Sequence, residues 1–149
     1  MNSMKQTLST SALGEQIFTS SSIEEIYRQH DNQAAMPSFS EYISSLCKQR
    51  GEVPERIIKK ANVERAFGHA IFRGDRNPSR NTVLQLAFGF DADVDLAQSL
   101  LKHAGHSALY PRVPRDAVIS YCLYHHMGFM NTQHILLELD LPLMGGAIK

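Results

Sequence analysis

The sequence predicts an all-α protein. Apolar residues recur at i, i+3, i+4 and i+7 along most of the chain, and almost no segment alternates with period two. Helix-capping residues and glycine stops punctuate the periodic stretches. The length, 149 residues, and the apolar content, 43%, fit one ordinary folded core.

Residues 1 to about 10 are rich in Ser, Thr, Asn and Gln and are expected to be disordered. A short helix over Ala12–Phe18 follows. A second begins at Ser21-Ser22-Ile23-Glu24, which has capping-box form, and stops near His30. Asp31 to Met36 reads as a linker. The first long helix opens at a second capping box, Ser38-Phe39-Ser40-Glu41, and places Phe39, Tyr42, Ile43, Leu46 and Cys47 on one face. Gly51 ends it. Pro54 suits the first turn of the next helix, where a missing N–H costs nothing, and Ile57, Ile58 and Ala61 face inward. Asn62 forms a tight turn in a conformation Asn tolerates. The helix from Glu64 to Arg73 is anchored by Phe67 and Ile71 and stopped by Gly74.

A helix from about Ser79 to Phe88 buries Val83, Leu84, Leu86 and Ala87. The next starts at an Asp91–Asp93 cap, buries Val94, Ala97, Leu100 and Leu101, and closes at Gly105. Pro114 opens a helix carrying Ala117, Val118, Tyr121, Cys122 and His125, expected to end at Gly128. Asn131 is the expected cap of a last helix with Ile135, Leu136 and Leu139. No repeat at a fixed period is evident. The expected division is a short-helical N-terminal segment, 1–36, a helical domain, 37–105, and a helical extension, 106–149.

Formal charge is zero, but it is not evenly spread. From Lys48 to Arg80 there are nine Lys/Arg against four Asp/Glu, a balance of +5, while the flanks carry −3 and −2. A basic middle between acidic ends is the footprint of phosphate binding, or simply a solvated helical face. No apolar run approaches the ~20 residues of a membrane span, and no secretory signal opens the chain. A cytoplasmic location and no membrane partner are therefore expected. Cys47 and Cys122 lie far apart in apolar surroundings and read as buried free thiols. His103-x-x-His106 straddles a helix end without an acidic or cysteine partner at ligand spacing, so no metal and no cofactor are expected. Nucleotide-loop, serine-hydrolase and metalloprotease motifs are missing, which argues against an enzyme. Asp116 beside Arg115 reads as first-turn helix charge.

Several segments carry a resemblance. They are Ile57-Ile58-Lys59-Lys60-Ala61-Asn62-Val63, Phe67 with Ile71, Gly74-Asp75-Arg76-Asn77-Pro78-Ser79, and Leu84-Gln85-Leu86-Ala87. Through them, residues 38 to about 102 resemble the lambda-repressor/Cro type of helix-turn-helix domain, the XRE family of bacterial regulators. The flanking SFSEYISSLCKQRG and AQSLLKHAGHSALYPRVPRDAVI resemble a Firmicute-type group of small XRE-like proteins with a C-terminal helical extension. The resemblance implies a five-helix bundle, with short helices before it and two after it. It also implies that the helix after Asn62 enters the major groove of double-stranded DNA. Carried onto this sequence, the base contacts are Arg65, Ala66 and His69, with Arg65 placed for a bidentate contact to guanine. The phosphate contacts are Lys59, Lys60, Arg73, Arg76 and Arg80. The alternatives are pairing of Arg76 with Asp75 or Glu64, and of Arg80 with an acid on a neighbouring helix. The chain departs from the family at four places: Ile58 for a small Ala, Asn62 for a turn glycine, Glu64 for a polar cap, and Gly68 for a buried aliphatic.

The expected function is DNA-binding transcription regulation by a homodimer. Dimer candidates are Tyr121, Leu123, Tyr124, Phe129, Met130 and Leu137 in the C-terminal helices. The competing expectation is a protein-interaction adaptor on the same scaffold, with those helices as a docking site.

Overall fold

The computed structural model describes residues 37–145 and, before them, Glu15, 22–25 and Tyr27. The expectations for residues 1–10, for Ala12–Phe18 apart from Glu15, and for Asp31–Met36 lie outside the described residues. The chain divides into two units at residue 37. In the first, the Ser22 hydroxyl accepts the Glu25 amide N–H at 3.1 Å, so the cap falls one residue later than the expected Ser21.

Every regular element between residues 37 and 145 is a helix, and no strand occurs among the described residues. The helices are α1 (Phe39–Arg50), α2 (Pro54–Lys60), α3 (Arg65–Arg73), α4 (Arg80–Gly89), α5 (Val94–His103), α6 (Pro114–Tyr124) and α7 (Phe129–Glu138). Ser38 caps α1 in a complete capping box with Glu41, and left-handed Gly51 ends it. Helix α4 is central. All its residues from Val83 to Gly89 are buried, and it packs on α2, α5 and α7. The C-terminal pair joins the same core: α6 packs on α5 and α7, and Ile119, Cys122, Leu123, Phe129 and Leu136 are all buried.

Three successive helical hairpins, α2–α3, α4–α5 and α6–α7, turn the same corner. The corner residue is left-handed each time: Asn62 (φ 58°), Asp91 (φ 52°) and His126 (φ 52°). The amides of Asn62 and Val63 donate to Lys59 O and Ile58 O; Asp91 and Ala92 donate to Phe88 O and Ala87 O; His126 and Met127 donate to Leu123 O and Cys122 O. Two residues past each corner stands the N-cap of the second helix: Glu64, Asp93 and Gly128. The second and third hairpins also match beyond the corner. Gln98 bonds Leu109 N and O, and Gln133 bonds Met144 N and O, each with both ends of its amide. The corner recurs without a fixed period, in keeping with the absence of a periodic sequence repeat. The corners lie at unequal spacings, and each is met by a different residue.

Other corrections concern α6 and α7. Helix α6 stops at Tyr124 rather than Gly128, because His126 takes the corner. Gly128 then caps α7, and Asn131 lies inside its first turn, donating to Met127 O at 2.8 Å. Leu139 is exposed at the C-cap of α7 rather than inside it; Phe129, Thr132, Gln133 and Leu136 form the inner face. Cys47 and Cys122 are free and buried, as expected.

Candidate nucleic-acid interface

The basic middle of the chain folds into the first hairpin, and its geometry starts at the corner. Buried Gln85 of α4 donates from Nε2 to both Ala61 O and Asn62 O at 3.2 Å. The turn is thus tied to the central helix through carbonyls that α2 leaves open. A polar residue inside the apolar run Val83–Ala87 was the sequence signal for such a bond, because buried amides are hydrogen-bonded.

Helix α3 crosses α2 at Gly68. A Cβ at Gly68 would lie 2.5 Å from Ile58 Cγ2 and 2.8 Å from Cγ1. Ile58 therefore occupies the space that a side chain at position 68 would need. The register-equivalent residues in the other hairpins are Ala87 with Ala97 and Cys122 with Thr132, all buried.

Glu64 caps α3 with its own carboxylate, accepting Ala66 N and Phe67 N at 3.0 Å. Those backbone bonds hold its pKa below the usual carboxylate range. The negative charge thus answers the helix's own N–H groups and dipole.

The outward side of α3 carries Arg65, Ala66, His69 and Arg73, which with Glu64 form one open, shallow surface. Arg65 is 76% exposed. Its Nε donates to both oxygens of Glu55 at 3.0 Å, and His69 Nε2 lies 2.7 Å from Glu55 Oε1. These two contacts, His69 first, depress the Glu55 pKa. Glu55 was not legible as part of the site; in sequence it reads only as an acid in the first turn of α2.

The expected phosphate contacts divide into two groups. Lys59 and Lys60 are exposed at the end of α2. Arg73 is exposed and pairs with Asp75 at 3.0 Å. Exposed Arg76 shares with Arg73 the wall of a hollow of about 270 Å³ that also borders the start of α1. The last turn of α3 is held to the start of α1 by the Ser40 hydroxyl, which donates to Phe72 O at 2.7 Å.

Arg80 stands apart from them. It donates to Asp116 through Nη1 at 3.2 Å and Nη2 at 3.0 Å, and to the carbonyls of Ser107 and Ala108. Asp116, only 6% exposed, also accepts Tyr110 N at 3.0 Å. Asp116 is therefore both the expected first-turn acid and a buried ion-pair partner, and Arg80 joins α4 to α6. Neighbouring Arg115 donates to Asn81 Oδ1, Pro142 O and Leu143 O; burial, then the nearby Arg80 charge, lowers its pKa.

The histidines that suggested metal are engaged elsewhere. His103 stacks on Tyr42 with ring centroids 3.8 Å apart, and His106 Nε2 lies 2.8 Å from Pro78 O. No group of three metal-ligating side chains occurs among the described residues, and none of the described helices is long and apolar enough to cross a membrane. Of the dimer candidates, Leu123 and Phe129 are buried in the core, whereas Tyr121, Tyr124, Met130 and Leu137 are exposed. No protein-family model, curated protein or solved structure matches the chain.

Proposed function

We propose that the protein is a DNA-binding transcription regulator of XRE type. In this reading residues 38 to about 102 act as a lambda-repressor/Cro-type helix-turn-helix, and α3 enters the major groove. The observation that carries it is the single outward side of α3. Arg65 and His69 stand one turn apart on a helix fixed at both ends, with exposed Lys59 and Lys60 in the helix before it and exposed Arg76 in the loop after it. Arg65, Ala66 and His69 contact bases; Lys59, Lys60, Arg73 and Arg76 contact phosphates. The internal bonds of Arg80 leave it no part in this set. A second copy of the chain pairs through the exposed Tyr121, Tyr124, Met130 and Leu137, because one short helix reads only a few base pairs.

The test is a fluorescence-anisotropy titration of full-length protein with a pool of random duplexes at several salt concentrations. Binding that weakens steeply with salt is expected. Absence of binding at low ionic strength refutes the reading.

One observation favours a second reading, a protein-interaction adaptor. Arg65, His69 and Arg73 each contact an acid on their own surface, Glu55 or Asp75, so the outward side of α3 is close to charge-balanced. An adaptor keeps its fold and binds no duplex.

A further inference from the structure

Glu55 sits at an unusual place for a carboxylate if α3 faces DNA. It projects from the first turn of α2 and receives side chains from two successive turns of α3, Arg65 and His69. As a stabilising contact it offers little, since exposed ion pairs contribute little net free energy. Ile57, Ile58 and Ile71, all buried, already join the two helices. The consequence of the contact lies in where it leaves Arg65. Only Nε is bound, by both carboxylate oxygens at 3.0 Å. Nη1 and Nη2 make no hydrogen bond to the described residues. Guanine presents two acceptors, O6 and N7, and needs two donors in a fixed fork. An unrestrained arginine spreads over many rotamers, whereas a contact at Nε narrows that spread.

We propose that Glu55 is the positioning residue for base reading: it holds Arg65 by Nε, with His69 beside it, so that the two terminal amino groups of Arg65 recognise one guanine. The inference rests on the DNA-binding reading above. It has a signature that a merely structural salt bridge lacks. A carboxylate near phosphates weakens binding to every duplex, yet this one sharpens the choice among duplexes. Removing its charge therefore moves affinity and discrimination in opposite directions.

The experiment uses the full chain as wild type, Glu55→Gln, Glu55→Ala, Arg65→Ala and the double variant Glu55→Gln/Arg65→Ala. Each is titrated with the random-duplex pool, with a site selected from that pool by the wild type, and with that site altered at each guanine in turn. Unfolding midpoints are measured alongside and should stay near wild type, because Glu55 is exposed. Both Glu55 variants should bind the random pool more tightly than wild type. They should also lose about twofold to fivefold in discrimination at one guanine, the range an exposed contact can supply. Arg65→Ala should lose discrimination at the same guanine, and the double variant should lose no more than Arg65→Ala alone. Selective wild-type binding with discrimination unchanged in the Glu55 variants overturns the role of Glu55 and leaves the DNA reading standing. Wild-type binding without sequence preference also overturns it. No binding of any duplex overturns both.

Discussion

Replacing Gly68 with alanine places a methyl carbon 2.5, 2.8 and 3.0 Å from three carbons of Ile58. Carbon atoms in contact sit about 3.5–4.0 Å apart, so roughly 1 Å of movement is needed between two packed helices. Overpacking of that kind costs about 1–3 kcal/mol. Alanine also gains about 1 kcal/mol of helix propensity over glycine. The net expectation is destabilisation by about 0–2 kcal/mol, whereas a glycine that served no packing purpose would give a stabilisation of about 1 kcal/mol. The sign decides. Ile58→Ala alone should cost about 2–5 kcal/mol through the cavity it opens. In Ile58→Ala/Gly68→Ala the new methyl enters that space, so the double variant should be more stable than the sum of the singles by at least about 1 kcal/mol. Urea unfolding, compared at constant m-value, measures all three. Gly89 is the control. A Cβ there meets Ile57 O at 2.6 Å and Ala61 Cβ at 2.8 Å, and Ile58→Ala should not relieve that clash. A stabilised Gly68→Ala, or additive singles, would refute the packing of Ile58 into the space at Gly68.

Three further outcomes are expected. Asp116→Ala leaves Arg80 and Tyr110 N without their carboxylate and should cost about 3 kcal/mol in urea unfolding; a loss under about 1 kcal/mol would show that the α4–α6 pair is dispensable. The carboxylates of Glu41, Glu55 and Glu64 have pKa values lowered by their hydrogen bonds. Their contribution is therefore present above the ordinary carboxylate range and is lost as pH falls through the depressed folded values. The unfolding midpoint should drop on acidification, and Glu64→Gln should flatten that drop; an unchanged slope would remove Glu64 as a titrating cap. Burial pushes the Cys47 thiol up to about 11, so native protein at pH 8 should resist alkylation at Cys47 and react once urea unfolds it. Rapid native labelling at Cys47 would contradict the buried placement.

Local signals survived well from sequence to structure. Ser38 and Glu41 form the expected capping box, Pro54 and Pro114 open their helices, and Asn62, Gly51 and Gly74 take the left-handed turns expected of them. These depend on neighbours a few residues away. What failed depends on distance in the chain. The pairing of Arg80 with Asp116 spans 36 residues, and Glu55 meets Arg65 only because the corner folds α3 back on α2. The repeated corner was hidden for another reason. Its requirement is a left-handed residue followed by a cap, and Asn62, Asp91 and His126 meet it with unlike side chains. Gly68 and Ile58 were each visible as departures from a family pattern. That Ile58 packs into the space at Gly68 follows only from their contact across the helix crossing. At α6 the apolar periodicity was ambiguous, and the face carrying Tyr121 and Tyr124 turned outward while Ile119 and Leu123 took the core.

The most direct test of the DNA-binding account is a titration of isotope-labelled full-length protein with duplex DNA at low salt, following backbone amide and arginine side-chain resonances. The account predicts shifts concentrated at Lys59, Lys60, residues 64–69, Arg73 and Arg76, with the Nε–H resonance of Arg65 among the largest. Shifts confined to the α6–α7 face around Tyr121, Tyr124 and Leu137, or no shifts at all, would contradict it.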